Sequence, residues 1–130
     1  RQNVAAAGLT DRIELVLSQE LSALPEEPRF DLIISNPPYI PSAELSKLQP
    51  EIREYEPVLA LDGGPDGLSA FRWLAVQARP RIQSTGRLLL ECGDNQAEAV
   101  AALLREHNWV VTRIVPDYTE RPRFVEARPA

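Results

Sequence analysis

One stretch constrains the fold of this chain more than any other: Phe30-Asp31-Leu32-Ile33-Ile34-Ser35-Asn36-Pro37-Pro38-Tyr39-Ile40. Leu32, Ile33 and Ile34 stand side by side without polar alternation, the pattern of a strand covered on both faces in a parallel α/β sheet. Pro37 and Pro38 then forbid further pairing, because neither has a backbone N–H. Pro38 also biases Pro37 toward an extended conformation. The polar corner is therefore expected just past the carboxyl end of a strand, where open α/β sheets place their ligands.

The corner has a specific chemical capability. Asn36 offers a side-chain carbonyl oxygen, and Pro37 offers a backbone carbonyl aimed by a fixed φ. Two acceptors close together can grip both hydrogens of an NH₂ group. Such a grip orients the nitrogen and stabilises positive charge developing on it during attack on an electrophile. Tyr39 adds a flat face for a planar amide or base.

Around this stretch the chain reads as alternating helices and strands. Arg1 to Leu9 has the pattern of a helix end with Gly8 as its C-cap, and Ile13 to Leu17 alternates like a strand. Leu21 to Pro28 reads as loop, broken by Pro25 and Pro28. Ser42 to Tyr55 carries Leu45, Leu48 and Ile52 at helical spacing, interrupted by Pro50, which predicts a short helix and a mobile connection. Asp62-Gly63-Gly64-Pro65-Asp66-Gly67 is a turn-rich loop, with Asp66 or Ser69 near the cap of the next helix.

That helix is predicted over Leu68 to Arg81, burying Phe71, Leu74, Ala75 and Ala78, with Gly86 turning the chain into a strand from Arg87 to Glu91. Gln96 to Glu106 is predicted as an amphipathic helix with Ala99, Val100, Leu103 and Leu104 on its apolar face, ended by His107-Asn108. Strands are expected at Trp109 to Val115 and Phe124 to Ala127, joined by a polar connection from Asp117 to Arg123.

A length of 130 residues with 44% hydrophobic composition suits one domain with a core of its own. The net charge of −5 supplies no global field for nucleic-acid phosphate. Cys92 is the single cysteine, so no internal disulfide can form, and its apolar setting predicts a buried, inert thiol in a reducing compartment. No window has the pattern of a secretory signal or membrane span, and the cytoplasm is the expected location. No Cys/His cluster has metal-ligand spacing, so no metal site is expected.

Asn36-Pro37-Pro38-Tyr39 resembles the motif of class I, S-adenosylmethionine-dependent amino-methyltransferases, which modify adenine, cytosine or glutamine nitrogens. Further text sharpens the likeness: Glu54-Tyr55-Glu56-Pro57, Ala60-Leu61-Asp62-Gly63-Gly64-Pro65-Asp66-Gly67-Leu68, Leu88-Leu89-Leu90-Glu91-Cys92-Gly93 and Asp117-Tyr118. Together these runs resemble the C-terminal part of the peptide chain release factor glutamine methyltransferase family, over nearly the whole chain.

The resemblance implies an α/β fold, a partial class I methyltransferase (Rossmann-like) domain over residues 1–130 that lacks the first two strands and the glycine-rich loop. The family's sheet order is 3-2-1-4-5-7-6, with strand 7 antiparallel. Strands 4, 5, 7 and 6 are then expected to be contiguous here, with strand 3 deprived of its neighbour. Leu32 to Ile34 becomes an exposed apolar edge, and self-association through that edge is expected.

The implied activity is methylation, with S-adenosylmethionine as cofactor, of the glutamine in the Gly-Gly-Gln loop of class 1 peptide release factors. The resemblance places Asn36, Pro37 and Tyr39 in catalysis, and Asn36, Pro37, Pro38, Tyr39 and Glu91 around the substrate. Asn36 also falls on the cofactor side, and Gln19 or Glu20 stands near the position of the adenine contact. Glu56-Pro57 is expected to support the corner. Three other readings stay open: a glutamine methyltransferase of a ribosomal protein, an adenine amino-methyltransferase of nucleic acid, and a non-catalytic fragment.

Overall fold

The computed structural model describes residues 1–27 and 29–130; Pro28, expected as a loop breaker, lies outside the described residues. Four strands form a mixed sheet: β1 (Phe30–Ser35), β2 (Ile82–Glu91), β3 (Trp109–Pro116) and β4 (Pro122–Pro129), in the order β1-β2-β4-β3. β1 runs parallel to β2, whereas β4 is antiparallel to both β2 and β3. This is the contiguous 4-5-7-6 arrangement expected from the sequence, with the antiparallel member in its place.

The helices are α1 (Gln2–Ala6), α2 (Pro50–Tyr55), α3 (Val58–Leu61), α4 (Ser69–Gln77) and α5 (Ala97–Glu106). Gly8 follows α1 at φ +66°, and the Gly8 and Leu9 N–H groups return to the carbonyls of Ala5 and Val4. That is the Schellman closure, which needs a residue tolerant of positive φ at Gly8. Ser42–Lys47 and Arg79–Arg81 are 3₁₀ turns. Pro50 opens α2 instead of breaking a helix, because its missing N–H falls where the first turn has no intrahelical acceptor.

The core lies between α4, α5 and one face of the sheet. Phe71, Leu74, Ala75 and Ala78 meet Val100 and Leu104, with Leu88, Leu90, Val125 and Ala127 beneath them. On α5 the buried alanines are Ala97 and Ala101, and Ala99 is exposed, contrary to expectation. Ala97, Val100, Ala101 and Leu104 are three or four residues apart on one stripe, and Ala99 falls off it.

Three other expectations are corrected. Ile13 to Leu17 carries no sheet pairing, and Leu17 is almost fully exposed. A strand without a neighbour leaves its backbone groups unpaired, so its alternation alone does not make it one. The predicted helix to Arg81 ends as an α-helix at Gln77, since Pro80 lacks the N–H needed to continue it. Gly86 lies inside β2, which already begins at Ile82, instead of turning the chain into it. A Cβ there would approach the Phe30 and Asp31 carbonyl oxygens to 3.0 and 3.1 Å, where the β1–β2 register shifts. Glycine permits that close passage of the two strands.

The other face of the sheet carries a polar cluster across β2, β4 and β3. Glu126 accepts from Arg113 Nη2 at 2.8 Å and from Thr112 Oγ1 at 3.0 Å, and Arg87 lies 3.6 Å away. The Arg113 hydrogen bonds hold the Glu126 carboxyl below the usual carboxylate range. Beside β1 the polar cover ends: Leu32 and Ile34 are 50% and 65% exposed on the unpaired edge.

Candidate active site

β1 delivers the corner as its sequence requires. Ser35 is the last strand residue, opposite Leu90, so Asn36 and Glu91 follow at the same level on neighbouring parallel strands. Asn36 is exposed, Pro37 is buried, and Pro38 and Tyr39 are half-buried. Asn36, Pro37, Pro38, Tyr39 and Ile40 line a small cleft of about 160 Å³ with Ala60 and Leu61. Among the described residues, no hydrogen bond engages Asn36 Oδ1 or the Pro37 carbonyl. Asn36 and Pro37 both line the cleft, and among the described residues neither acceptor has an internal partner.

The second wall comes from α3. Pro57 is its N-cap, and its last residues, Ala60 and Leu61, line the cleft. Glu56 caps the end of α2 through its N–H to the Ile52 carbonyl. The Glu56-Pro57 pair therefore sets the path of the wall rather than lining the cleft, as its assignment to support implies.

The loop after α3 clamps the corner. Ile40 N–H donates to Leu61 O, and Gly63 N–H returns to Ile40 O at 2.9 Å. Asp62 accepts from Ser42 Oγ at 2.7 Å and from Gly64 N–H at 2.9 Å, and these bonds lower its carboxyl pKa, the Ser42 bond most. Gly63 is pressed against the corner: a Cβ there would lie 2.7 Å from Tyr39 Cα. Gly63 and Gly67 thus serve close passage of the Tyr39 backbone, a role the composition of a turn-rich loop does not disclose.

Two further residues bear on the corner and were not singled out in the sequence. Gln96, the N-cap position of α5, donates from Nε2 to the Tyr39 carbonyl at 3.0 Å and accepts from Gly93 N–H at 2.8 Å. The Arg123 guanidinium lies 5.8 Å from the Tyr39 ring centroid, within cation–π reach. Arg123 ends the polar connection from Asp117 to Arg123, whose charge was legible in the sequence although its position against Tyr39 was not. Gln96 has no such signal, since a polar residue before a helix reads simply as a cap.

Glu91 and Gln19 are not brought into the cleft. Glu91 ends β2 paired to Phe124 and does not line it. Gln19 sits in an exposed loop, where its carbonyl accepts from Ser22 Oγ at 2.6 Å. Glu20, at φ +56°, accepts from Gln77 Nε2, and the Leu21 N–H donates to Gln77 Oε1 at 3.1 Å. That loop is tied to α4, not to the corner. Among the described residues no group of acidic, His or Cys side chains could hold a metal ion, and no helix is long and apolar enough to cross a membrane.

Comparison with known proteins bears on this geometry. No protein-family model matches the chain. Among curated proteins, the release factor glutamine methyltransferase of Cereibacter sphaeroides is 46% identical over 127 residues, which cover 98% of this chain and 45% of that protein. The protein of the same description from Bradyrhizobium diazoefficiens is 47% identical over 129 residues, covering 98% and 43%. Among solved structures, a ribosomal protein L11 methylase from Lactobacillus delbrueckii subsp. bulgaricus superposes with a TM-score of 0.63 at 15% identity, over 98% of this chain and 49% of that one. That likeness is one of fold, a partial class I methyltransferase architecture of Rossmann-like type. The chain spans less than half the length of the curated relatives it matches, and over that span its sequence is similar to proteins described as release factor glutamine methyltransferases.

Proposed function

We propose that the chain is the C-terminal part of a single catalytic domain, whose whole protein is a cytoplasmic enzyme that methylates a glutamine side-chain nitrogen. The proposed substrate is the Gly-Gly-Gln loop of class 1 peptide release factors. The observation that carries the reading is that Asn36 and Pro37, whose side-chain and backbone carbonyls have no partner among the described residues, line one small cleft with Tyr39. Relatives of that description at 46% and 47% identity support the choice of substrate.

An amide NH₂ entering the cleft donates one N–H to Asn36 and the other to Pro37. The two bonds fix the amide plane and disperse positive charge as the nitrogen becomes tetrahedral. Pro38 limits movement of the corner through its fixed φ, and Tyr39 borders the amide plane. The charge is met by acceptors rather than by a base, so the proton leaves after transfer.

S-adenosylmethionine supplies an electrophilic methyl group when bound. The residues present fit its acceptor side: Asn36, exposed at the strand end and lining the cleft, would hold the amide toward a methyl donor bound there. A phosphate-type or ribose-type cradle is another matter. Gly63, Gly64, Gly67 and Gly93 are occupied against Tyr39, Ser69 and Gln96, so none presents bare backbone to a ligand. Gln19 lies away from the cleft lining, and no step is assigned to it.

The test is binding of a primary amide. A Gly-Gly-Gln peptide titrated into the isotopically labelled chain is expected to shift Asn36 and Tyr39 signals, and a Gly-Gly-Glu peptide is not. Asn36→Ala should abolish the response. Absence of any response to Gly-Gly-Gln at millimolar peptide would remove the amide reading. A parallel assay with labelled cofactor, presenting release factor, ribosomal protein and DNA, separates the substrates; label in DNA alone would overturn the choice.

A further inference from the structure

Gln96 joins two loops that are far apart in sequence and adjacent at the carboxyl ends of β1 and β2. Its side chain is the only described link that holds the Tyr39 carbonyl to the β2–α5 loop. The orientation of its amide is forced: Gly93 N–H needs an acceptor and the Tyr39 carbonyl needs a donor, so Oε1 and Nε2 can occupy one arrangement only.

The surroundings are built around this amide. A Cβ on Gly67 would overlap the Tyr39 carbonyl oxygen and come within 2.5 Å of Gln96 Nε2. A Cβ on Gly93 would come within 2.6 Å of Gln96 Oε1 and 3.0 Å of Tyr39 Cδ2. Two bare Cα positions therefore flank the Gln96 amide, where any larger residue would displace it. Gly67 also sits at φ +76°, a backbone conformation that itself favours glycine.

Anchoring the Tyr39 carbonyl has consequences upstream. Pro38 has a fixed φ, and the peptide bonds are planar, so only ψ of Pro38 and the two torsions of Tyr39 separate the Tyr39 carbonyl from that of Pro37. The adjoining Ile40 is already held by Leu61 and Gly63. Little freedom remains in the corner once Gln96 is in place.

Resting on the reading of the corner as an amide site, we infer that Gln96 is a positioning residue for it. The Gln96 amide, held between Gly93 and Tyr39, sets the angle at which the Asn36 and Pro37 acceptors meet a substrate amide. Gln96 touches neither substrate nor reacting atoms. Its effect travels through the Tyr39 backbone.

The decisive variant is Gln96→Glu in the full chain. It keeps the length and the acceptor for Gly93, and replaces the donor to Tyr39 with an oxygen. In the ligand-free chain, the carbonyl carbon of Tyr39 and the backbone signals of Asn36 should shift, while Leu88, Leu90 and Val125 keep their wild-type signals. Affinity for the Gly-Gly-Gln peptide should fall about tenfold, the worth of one well-placed hydrogen bond. Gln96→Leu, which removes both bonds, should shift the same signals further.

Unchanged Asn36 and Tyr39 signals with unchanged peptide affinity in Gln96→Glu would overturn the inference and leave the amide reading standing. Perturbation spread evenly through Leu88, Leu90 and Val125 would overturn it too, showing a structural residue only. A wild-type chain that binds no amide removes the amide reading and this inference together.

Discussion

The indole N–H of Trp109 donates to the carbonyl of Ala75 at 2.8 Å, tying the first residue of β3 to the last turn of α4. Both residues are buried within the one core cluster. Trp109→Phe keeps an aromatic ring there but removes the donor. The expected loss is about 1–3 kcal/mol, the cost of an unmet buried acceptor. Urea unfolding followed by circular dichroism checks it, and a loss well below that range would show that water replaces the indole.

Leu90 has no exposed surface and lies under α4 and α5, one residue before the strand end that faces the corner. Leu90→Ala should lower stability by about 2–5 kcal/mol through lost transfer energy and the residual cavity. Ile34→Ala, on the open edge at 65% exposure, should cost far less. Paired denaturation curves for the two variants read this difference directly.

Asp66 caps the turn into α4 by accepting from the Leu68 N–H at 3.1 Å, and it is bridged by Arg72 at 3.0 Å. The Arg72 hydrogen bonds, with the Leu68 N–H second, pull its carboxyl down to about 2. Its folded pKa lies below the unfolded value of about 3.9, so its stabilising contribution is complete above the latter. That contribution disappears as pH falls through about 2. The melting-temperature gap between wild type and Asp66→Asn should therefore be constant near neutrality and close in acid. The pair is exposed, so salt should narrow the gap at neutral pH.

Cys92 has no exposed surface, and burial pushes its thiol up to about 11, with Arg123 opposing the shift. A thiol is nucleophilic as its thiolate, so the native chain should react slowly with a thiol reagent at pH 8. The same reagent should react promptly in denaturant. Fast labelling of the native chain would mean that the β2 end opens locally.

The edge of β1 exposes Leu32 and Ile34 and, among the described residues, has no strand paired on its outer side. An apolar, unpaired edge is a template for another chain. Sedimentation velocity over a concentration series should show association, and Ile34→Lys should shift the distribution toward monomer. A wild-type chain that stays monomeric throughout would show that the neighbouring segments already shield the edge.

Where local pattern and long-range packing agree, the sequence was legible. Phe71 to Ala78 and Trp109 to Val115 announced their elements, because apolar spacing and core position coincide there. The corner was legible for the same reason, since consecutive prolines leave a strand few ways to end. Leu32 to Ile34 announced a strand but not its cover: only Ile33 packs on the core, and Leu32 and Ile34 are exposed on the edge. Ile13 to Leu17 misled because alternation reports a possible strand but not whether a partner exists. Gln96 was invisible because its two bonds reach Gly93 and Tyr39, and nothing local distinguishes a bridging amide from a helix cap. Gly63 and Gly67 announced turns but not the Tyr39 backbone they make room for.

The sheet order also sets how closely the site's integrity follows the chain's folding history. β3 and β4 close across a short turn in which Asp117 gathers the N–H groups of Thr119 and Arg121. β1 meets β2 only after everything from Asn36 to Arg81 has been looped out, a far larger closure entropy. Pairing across the short turn should therefore precede docking of β1, and β1, held from one side, should be first to come away. The corner rides on that strand, so amide exchange at Leu32 to Ile34 reports the same opening that would disperse Asn36 and Pro37.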